Sequence, residues 1–527
     1  MATNNDVLEK KSETNILDVE TFNDLIVGAY NDGSAELELE ADIAVARSLI
    51  PAGTGSLRDF SYIAPDIPLL DPDACVGCMD CVTECPDTAI LGKVIKVQEL
   101  EEQTKDIKAA NIRDWVRDQF SKTNKYFNVF EKKGKEPGLF GIFIDPTKCK
   151  GCGECVEVCG HHEALKMIPK DEENLPVYTE GWKVYENLPP TAPEFIQEKI
   201  LADMMLSDDS LLYVGGAGSC MGCGEATVLR MMLAATGFVY GKESIGIVAA
   251  TGCNTVYGST YPYNPYLVPW TNSLFENAPA DAMGIRARWD QKGWKDKKLW
   301  VLGGDGAMLD IGFQSLSRMM TSGMDINVLI LDTQVYSNTG GQSSTGTYLG
   351  QEAKMAAHGK VLKGKSERRK EIGNLAMMHP NVYVAQTTAA HTNHFYKAIL
   401  EANEFPGPSI VNTFTTCQPE HGVADDMASH QAKLAVNSRA FPLFIYDPRK
   451  GEKMSERLSL ASNPAIKEDW YKNPKTDELI DFVYFARTEG RFAKQFDKDG
   501  NPSDAMLASN DDRLLNWRLL QELAGVI

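Results

Sequence analysis

Eight of the twelve cysteines of this chain fall into two short runs with the same internal spacing. The runs are CVGCMDCVTECP, residues 75–86, and CKGCGECVEVC, residues 149–159. Each run places its four cysteines in the order C-x2-C-x2-C-x3-C. Thiolates are soft, anionic metal ligands, and a chain of this length without an apolar signal segment is a poor candidate for disulfides. The repeat therefore predicts that residues 75–159 fold around two metal centres.

The spacing is that of bacterial ferredoxins, in which the fourth cysteine of each run binds the other cluster. One cluster is then expected on Cys75, Cys78, Cys81 and Cys159. The other is expected on Cys149, Cys152, Cys155 and Cys85. A zinc-binding knot is the alternative, but zinc sites combine two pairs of ligands and do not cross two runs of four.

Two departures from the ferredoxin pattern leave all of these ligands in place. Gly160, His161 and His162 stand where a proline is expected after the second run. The segment between the runs is much longer than a minimal ferredoxin needs. It has aromatic and apolar residues at helix-like intervals, so it is predicted to cover one side of the ferredoxin-like part.

The other four cysteines lie in three separate segments, GAGSCMGCGEA (Cys220 and Cys223), AATGCNTVYG (Cys253) and TFTTCQPEHG (Cys417). Each segment follows an apolar, strand-like stretch: LLYVGG, SIGIVAA and PSIVNTF. Parallel strands would bring three such ends to one edge of a sheet, where four thiolates complete the ligand set of a further cluster. Inert core cysteines are the alternative, because free cysteine is often buried.

From about residue 205 strand-like and helix-like stretches alternate along the chain. The predicted strands include KLWVLGGDG (298–306), INVLILDTQ (326–334), NVYVAQTTAA (381–390) and PSIVNTF (408–414). The predicted helices between them include AMLDIGFQSLSRMMTSG (307–323) and HTNHFYKAILEANEF (391–405). This alternation predicts an α/β fold with a doubly wound, mostly parallel sheet, preceded by a two-cluster ferredoxin-like α+β domain.

Two of the predicted strands end in polar groups. One is followed by Asp305 and the next by Thr333, with Ser337 and Asn338 shortly after. Ligands of parallel α/β sheets bind at the carboxyl ends of the strands. An acidic group and a hydroxyl at neighbouring strand ends suit Mg²⁺ on a diphosphate, because Mg²⁺ takes few protein oxygens plus phosphate oxygens. The arrangement resembles the thiamine diphosphate motif, although its usual final Asn-Asn is Asp332-Thr333 here.

Taken together, these segments resemble pyruvate:ferredoxin oxidoreductase, of the 2-oxoacid:ferredoxin oxidoreductase family. The resemblance is to the C-terminal half of the long single-chain form, and it runs from about Ile67 onward. Besides the cysteine segments it includes WTNSLFENA, GGDGAMLDIG, LDTQVYSNTGGQSS, YDPR and EGRFA. It implies a thiamine diphosphate-dependent enzyme that converts pyruvate and CoA to acetyl-CoA and CO2 and passes electrons to ferredoxin, with reversal of the reaction an open question.

The resemblance also assigns residues. Asp305, Thr333 and the Val335 carbonyl are expected to hold Mg²⁺, and Asn338 is expected to act on the substrate. Cys220, Cys223, Cys253 and Cys417 are expected to bind a third [4Fe–4S] cluster nearest thiamine. The residues expected to contact thiamine diphosphate are Glu225, Gly252, Cys253, Gly304, Asp305, Gly306, Thr333, Val335, Ser337 and Asn338.

Other parts of such an enzyme have no counterpart in the sequence. No segment resembles the pyrimidine-binding domain, which in this family supplies the glutamate that activates the cofactor, and none resembles a CoA-binding domain. We therefore expect a β-type subunit of a hetero-oligomer with one or more α-type subunits. A 2-oxoglutarate or other 2-oxo acid oxidoreductase is one alternative, and a non-catalytic electron-transfer subunit is another.

The charge and hydropathy of the chain limit its partners. A formal net charge of −20 disfavours nucleic acid or an anionic membrane. No apolar run approaches the roughly 18–20 residues that cross a bilayer, and the polar N-terminus, which we expect to be flexible, lacks a secretory signal. We expect a cytoplasmic protein.

Its expected parts are an N-terminal extension (1–60), a ferredoxin-like domain with a long insert (61–185), a thiamine diphosphate-binding domain (186–445) and a helical segment (446–527) that wraps a neighbour or closes the domain.

Overall fold

The computed structural model describes residues 19–38, 49–356 and 363–527, so the N-terminal residues predicted to be flexible lie outside the described residues. Its strands are β1 Asp66–Leu70, β2 Ile90–Lys96, β3 Phe120–Ser121, β4 Gly138–Ile144, β5 Leu165–Pro169, β6 Ile245–Ala250, β7 Trp270–Ser273, β8 Lys298–Gly304, β9 Asn327–Asp332, β10 Tyr383–Thr388, β11 Ser409–Phe414, β12 Phe444–Tyr446, β13 Leu458–Ser459, β14 Tyr471–Lys472 and β15 Leu479–Ile480.

The α-helices include three short ones near the N-terminus, α1 Val19–Phe22, α2 Gly28–Asp32 and α3 Ala35–Glu38. Those of the ferredoxin-like part are α4 Asp80–Glu84, α5 Val97–Thr104, α6 Ala110–Asp118, α7 Val129–Lys132, α8 Glu154–Cys159 and α9 Leu175–Asn187. The remaining helices are α10 Leu201–Met204, α11 Gly224–Tyr240, α12 Cys253–Gly258, α13 Ala278–Gln291, α14 Phe313–Met320, α15 Ile372–Met377, α16 Thr392–Glu404, α17 Gln418–His421, α18 Ala428–Asn437, α19 Met454–Arg457, α20 Phe482–Arg487 and α21 Asp504–Leu523.

The ferredoxin-like part is built from antiparallel strands and two matching cysteine runs. β1 pairs with β5, and β2, β4 and β3 form a three-stranded sheet. The two runs share a backbone path, because the residue before and the residue after the second cysteine of each run have left-handed φ angles between 71° and 86°. These residues are Gly77 and Met79 in the first run, and Gly151 and Gly153 in the second. The insert between the runs contributes α5, α6 and α7, as its helix-like pattern predicted.

The second part is an eight-stranded sheet in the order β13-β12-β10-β11-β9-β8-β6-β7. Neighbouring strands from β10 to β7 are parallel, and β12 and β13 extend one edge antiparallel. Helices cover both faces. The predicted α/β class with a doubly wound, mostly parallel sheet is therefore confirmed.

Successive residues of the central strands point to opposite sides of this sheet, as the pleat requires. Leu329 and Leu331 of β9 belong to a core that α11 and α16 share with the ferredoxin-like part. Val328 and Ile330 belong to a second core with α13, α14 and α15. The ferredoxin-like part is thus joined to the sheet by one continuous apolar core.

One predicted strand was wrong. Residues 211–216 (LLYVGG) form no strand, and only Tyr213 pairs there, through a single antiparallel bridge to Tyr266. The chain instead turns at Gly216, which has a φ of 90° and lies so close to Gly55 that a Cβ would stand 1.8 Å from the Gly55 carbonyl oxygen. Consequently, Cys220 and Cys223 lie on a loop that leads into α11 and do not follow a strand end.

The C-terminal segment returns to the sheet. Trp517 of α21 is fully buried in the second core, and its indole donates to the Glu468 carbonyl at 2.9 Å. Arg491 reaches the end of β9, where it donates to the Gln334 side chain at 2.9 Å. The segment was predicted as helices, but it also contains the short strands β13, β14 and β15. Among the described helices, none has the length and apolar character needed to cross a membrane.

Candidate functional site

A pocket of about 360 Å³ opens at the carboxyl ends of β6, β8 and β9. Its walls come from the segments that follow these three strands, which is where ligands bind in parallel α/β sheets. The lining residues are Glu225, Thr251, Gly252, Cys253, Asn254, Phe275, Gly304, Gly306, Ala307, Thr333, Val335, Tyr336, Ser337, Asn338 and Thr339. Every residue predicted to contact thiamine diphosphate lines this pocket except Asp305, which lies beneath it.

Oxygen atoms converge at the base of the pocket. Asp305 is fully buried, and the Thr333 hydroxyl lies 3.3 Å from its carboxylate and 3.1 Å from the Val335 carbonyl oxygen. The Ser337 hydroxyl donates to the Thr333 hydroxyl oxygen at 2.6 Å. The three groups predicted to hold Mg²⁺ therefore lie together, although the prediction of the metal itself stays a prediction.

Asp305 has the environment of a carboxylate that needs a cation. Among the ion pairs of the described residues, none involves Asp305, and its partners there are the hydroxyls of Thr333 and Ser344. Burial, reinforced by the charge of neighbouring Asp332, raises the pKa of Asp305 to about 7. Asp332 is different because Arg369 pairs with it directly. A hard divalent cation beside Asp305, Thr333 and Val335 fits this set of oxygen donors.

The wall of the pocket requires a glycine at position 306. A Cβ there would lie 2.3 Å from the ring of Tyr336, so any larger residue would push that ring away. The Tyr336 hydroxyl donates to the Gly306 carbonyl at 3.2 Å. At Gly304, by contrast, a Cβ would make only an ordinary contact, 3.7 Å from the Leu331 carbonyl oxygen. The missing Cβ at Gly306 therefore makes room for the Tyr336 ring.

His421 joins the base of the pocket to the segment that carries Cys417. Its Nε2 lies 2.9 Å from the Thr333 carbonyl oxygen, and the Cys417 backbone N–H donates to its Nδ1 at 3.4 Å. A carbonyl only accepts, so the proton is on Nε2. Burial lowers the pKa of His421 well below its ordinary value, which keeps the ring neutral in this tautomer.

The cysteines of the two runs surround two separate cavities. Cys75, Cys78, Cys81 and Cys159, which we call the first group, line a cavity of about 320 Å³. Cys149, Cys152, Cys155 and Cys85, which we call the second group, line a cavity of about 380 Å³. The fourth cysteine of each run thus lies with the first three of the other run, in the crossed arrangement predicted from the spacing.

The thiols of both groups are strongly desolvated. Burial raises the pKa of Cys78 to about 11 and that of Cys149 to about 12. Four soft donors around one cavity fit an iron–sulfur cluster, whose iron would stabilise the thiolates. No three His, Cys, Asp or Glu side chains among residues 19–38, 49–356 and 363–527 are arranged to hold a single metal ion. In a [4Fe–4S] cluster each thiolate binds a different iron, so its ligands need not converge on one point.

The remaining cysteines form a third group beside the pocket, consisting of Cys220, Cys223, Cys253 and Cys417. Burial raises the pKa of the Cys253 thiol, and the charges of Glu225 and of the other three cysteines add to the effect. Cys223, Cys253 and Cys417 stand at the N-terminal ends of α11, α12 and α17. Helix N-termini favour thiolates, so the positions suit anionic ligands.

Glu225 and Ser337 connect this third group to the pocket. Burial and the charge of Asp305 raise the pKa of Glu225 to about 8, and Glu225 in turn raises the pKa of Cys223 and Cys253. The Ser337 hydroxyl contacts both Thr333 and the Cys417 thiol. The predicted cofactor pocket and the predicted third cluster therefore share side chains.

Several residues of this site were missed from the sequence. The Ser344 hydroxyl donates to Asp305, and the Lys365 ammonium donates to the Ser344 carbonyl. The His421 ring donates to the Thr333 carbonyl. Ser344 and His421 lie within the quoted segments LDTQVYSNTGGQSS and TFTTCQPEHG but were not singled out there, and Lys365 lies in a segment without a recognisable motif. The Pro-Glu-His that follows Cys417 could have drawn attention to His421, but nothing in its spacing indicated Thr333 as the partner.

Two family models match the chain. Residues 250–413 match the C-terminal TPP binding domain of thiamine pyrophosphate enzymes, and residues 142–162 match a 4Fe-4S binding domain. The first match includes β7 to β10, most of β11 and every residue that lines the pocket except Glu225. The second includes Cys149, Cys152, Cys155 and Cys159. The chain therefore carries the domains of a thiamine-dependent, iron–sulfur protein.

The chain is also similar to two curated proteins. It is 28% identical to a protein of Escherichia coli K12 named probable pyruvate-flavodoxin oxidoreductase, over 80% of this chain and 40% of that protein. It is 29% identical to the pyruvate:ferredoxin oxidoreductase of Moorella thermoacetica, over 87% of this chain and 42% of that protein. The chain thus spans less than half the length of these relatives.

Among solved structures, the 2-oxoglutarate:ferredoxin oxidoreductase from Magnetococcus marinus aligns with this chain at 22% sequence identity and a TM-score of 0.34. The alignment covers 38% of this chain and 65% of that one.

Proposed function

Because this chain is a relative of the 2-oxoacid:ferredoxin oxidoreductases, we propose that it is the thiamine- and cluster-binding subunit of a cytoplasmic pyruvate:ferredoxin oxidoreductase. The reaction proposed is the CoA-dependent, reversible conversion of pyruvate to acetyl-CoA and CO2, with ferredoxin as the electron acceptor. The observation that carries the proposal is the contact between the pocket and the third cysteine group through Glu225 and Ser337.

In this proposal the pocket binds thiamine diphosphate and the three cysteine groups bind one [4Fe–4S] cluster each. When bound, thiamine diphosphate supplies the chemistry that removes CO2 from a 2-oxo acid, and the clusters accept the resulting electrons one at a time. Asp305, Thr333 and the Val335 carbonyl would hold Mg²⁺ on the diphosphate. The bare backbone at Gly304, on the pocket wall, would let a phosphate approach.

The chain's own residues then have distinct tasks. Asp305 provides the negative charge at the base of the pocket, and Ser344 and Thr333 fix its orientation by donating hydrogen bonds. Glu225, buried and with a pKa near 8, can hold a proton between the pocket and the third group. Asn338 is exposed on the pocket wall, where its amide is available to a substrate carboxylate.

The proposal includes a second polypeptide. The chain spans about 40% of its curated relatives, and the pyrimidine-binding and CoA-binding parts are proposed to lie on one or more α-type subunits. The substrate, CoA and ferredoxin then meet only in the assembled hetero-oligomer. The outer face of the pocket at Asn338 is where such a subunit would complete the site.

The decisive experiment is anaerobic purification of the tagged chain with its natural partners, followed by CoA-dependent assays of ferredoxin reduction. Pyruvate, 2-oxoglutarate and other 2-oxo acids should be compared as substrates. We expect bound thiamine, pyruvate turnover and about 12 iron atoms per chain. If the complex holds thiamine but oxidises another 2-oxo acid faster than pyruvate, the proposed substrate is wrong. If the complex contains no thiamine, the chain is an electron-transfer subunit.

A single variant tests the third group separately. Cys253→Ala removes one of its proposed ligands, so the iron content should fall towards about eight atoms per chain while the first and second groups keep their clusters. Ferredoxin reduction should be lost. An unchanged iron content together with normal ferredoxin reduction would rule out a cluster on the third group.

A further inference from the structure

A buried ion pair connects the second cysteine group to the loop of the third. Lys150 lies between Cys149 and Cys152, and Asp87 lies two residues after Cys85. The Lys150 ammonium is 2.7 Å from the Asp87 carboxylate, and the two side chains are only 4% and 3% exposed. Both partners therefore come from the segments that carry the ligands of the second group.

The same ammonium holds the loop that leads to Cys220. It donates to the carbonyl oxygens of Ala217 at 2.9 Å and Ser219 at 2.8 Å. The Ser219 hydroxyl donates to Asp87 at 3.2 Å, which closes the network. The ammonium also lies 3.0 Å from the Ser219 hydroxyl oxygen, so its three protons are shared among four acceptors and none lacks a partner. Loss of the lysine would leave the Cys220 loop without this attachment.

The surroundings make the charges of this pair effective over several ångströms. The ammonium stands 4.9 Å from the centre of the Phe60 ring, and a Cβ on Gly215 would be in contact with the Asp87 backbone carbonyl. Buried charges act through a lower dielectric than water, so their fields are screened less than those of surface charges. Arg230, which donates to the Cys85 carbonyl at 3.2 Å, is another buried cation close to Asp87.

We propose that the Asp87–Lys150 pair is a positioning and electrostatic device that sets the difference in reduction potential between the clusters of the second and third groups. The proposal rests on the proposed function, because it requires clusters at both groups. Cluster potentials depend on nearby charge and hydrogen bonds. The ammonium end is bonded to the residues before Cys220, and the carboxylate end follows Cys85.

The two charges act in opposite senses. The Lys150 ammonium is bonded to the backbone just before Cys220, and Asp87 follows Cys85 by two residues. A positive charge favours the reduced, more negative form of a cluster, and a negative charge disfavours it. Lys150 should therefore raise the potential at the third group, and Asp87 should lower the potential at the second.

Three variants separate this electrostatic role from a purely structural one. In Lys150→Met the third-group potential should become more negative. In Asp87→Asn the positive charge remains, so the third-group potential should not fall while the second-group potential should rise. Lys150→Arg keeps the charge and should leave the third-group potential close to that of the unmodified protein. A structural role alone would shift the third group in the same direction in both neutralising variants.

The measurement is a redox titration followed by electron paramagnetic resonance on the anaerobically reconstituted full chain, with iron analysis of each sample. Lys148→Met is the matched control, because Lys148 is also buried beside Cys149 and its stem packs against Gly215, but its ammonium donates to the Arg58 carbonyl at 2.6 Å and not to Ala217 or Ser219. We expect it to shift the third-group potential less than Lys150→Met does.

The outcomes are distinguishable. About eight iron atoms in the unmodified chain would remove the third cluster, and with it both the proposed function and this inference. Three clusters whose potentials are unchanged in Lys150→Met and Asp87→Asn would overturn this inference alone. If Lys150→Met does not retain the third cluster, the test depends on Asp87→Asn. An unchanged second-group potential in Asp87→Asn would then overturn the proposal.

Discussion

At the scale of single residues, the proposed function assigns metal binding and substrate binding to different parts of the pocket. Asp305 is buried at its base, and Asn338 is exposed on its wall. We expect Asp305→Ala to weaken Mg²⁺-dependent binding of thiamine diphosphate more than about tenfold, since even outer-shell changes around a metal cost that much. Asn338→Ala should keep the cofactor and lose turnover. Calorimetric titration with and without Mg²⁺ checks both variants, and equal loss of cofactor would refute this division of roles.

Lys365 gives a pH-dependent prediction. Its ammonium donates to the carbonyls of Ser344, Thr345 and Thr347, and the Ser344 hydroxyl donates to Asp305. Burial lowers the pKa of Lys365 from 10.5 to about 8. Between these values the unfolded chain binds more protons than the folded protein, so the stability contributed by this residue rises with pH and is lost as pH falls through about 8.

The test compares thermal unfolding of the unmodified protein with that of Lys365→Met. We expect the unfolding temperature of the unmodified protein to improve relative to the variant as the pH increases from about 7.5 to about 10. Lys370→Met is a suitable control, because Lys370 also donates to a carbonyl in this region but is only partly buried. Parallel pH profiles for the unmodified protein and Lys365→Met would contradict the prediction.

The residues that could be predicted are those that follow strands. Asp305 and Thr333 stand out because polar groups rarely follow two apolar stretches without a ligand. His421, Ser344 and Lys365 carry no such signal. They reach the pocket from segments whose positions depend on how β11 and the loops around residues 344 and 365 pack, and that packing is a property of the folded core.

At the scale of elements, the loop between Cys220 and Cys223 depends on Gly222. Its φ is 66°, and a Cβ there would lie 1.8 Å from the Asp425 carbonyl oxygen. We expect Gly222→Ala to displace this loop, so that iron content falls from about 12 towards about eight atoms per chain. Gly241→Ala is the control. Gly241 follows helix α11, into which this loop leads, and it has a φ of 75° with open space around it. An equal loss of iron in the two variants would show that the loss comes from backbone strain and not from the contact of the added Cβ with the Asp425 carbonyl oxygen.

The elements themselves were largely predictable where apolar runs are long and bounded by polar turns. β8, β9, β10 and β11 all lie within stretches predicted as strands. The strand prediction for residues 211–216 was wrong because Leu-Leu-Tyr-Val has the composition of a strand. The backbone pairing that would make it one is absent apart from the bridge at Tyr213, since Gly216 turns the chain against Gly55. Composition cannot show whether a neighbouring strand is available.

At the scale of the whole molecule, one apolar core runs from the ferredoxin-like part to one face of the sheet. Contacts across it are specific. Glu154 of α8 accepts from the backbone N–H groups of Ala428 and Ser429 at the start of α18, and Arg230 of α11 donates to the Cys85 carbonyl at 3.2 Å. The three cysteine groups therefore belong to one body together with the pocket, as a protein that moves electrons between fixed centres requires.

The proposed division of the site between subunits leads to the last prediction, which is that the isolated 527-residue chain is inactive. Thiamine catalysis needs a carboxylate that contacts the pyrimidine ring of the cofactor. In the family that this chain resembles, that glutamate belongs to the pyrimidine-binding domain, which we propose to lie on an α-type subunit. The purified chain should assemble its clusters, show their visible absorbance and bind thiamine diphosphate only weakly. Adding the partner subunits should restore tight cofactor binding and CoA-dependent pyruvate oxidation together. Substantial pyruvate oxidation by the chain alone would mean that Glu225, Asn338 and their neighbours form a complete active site.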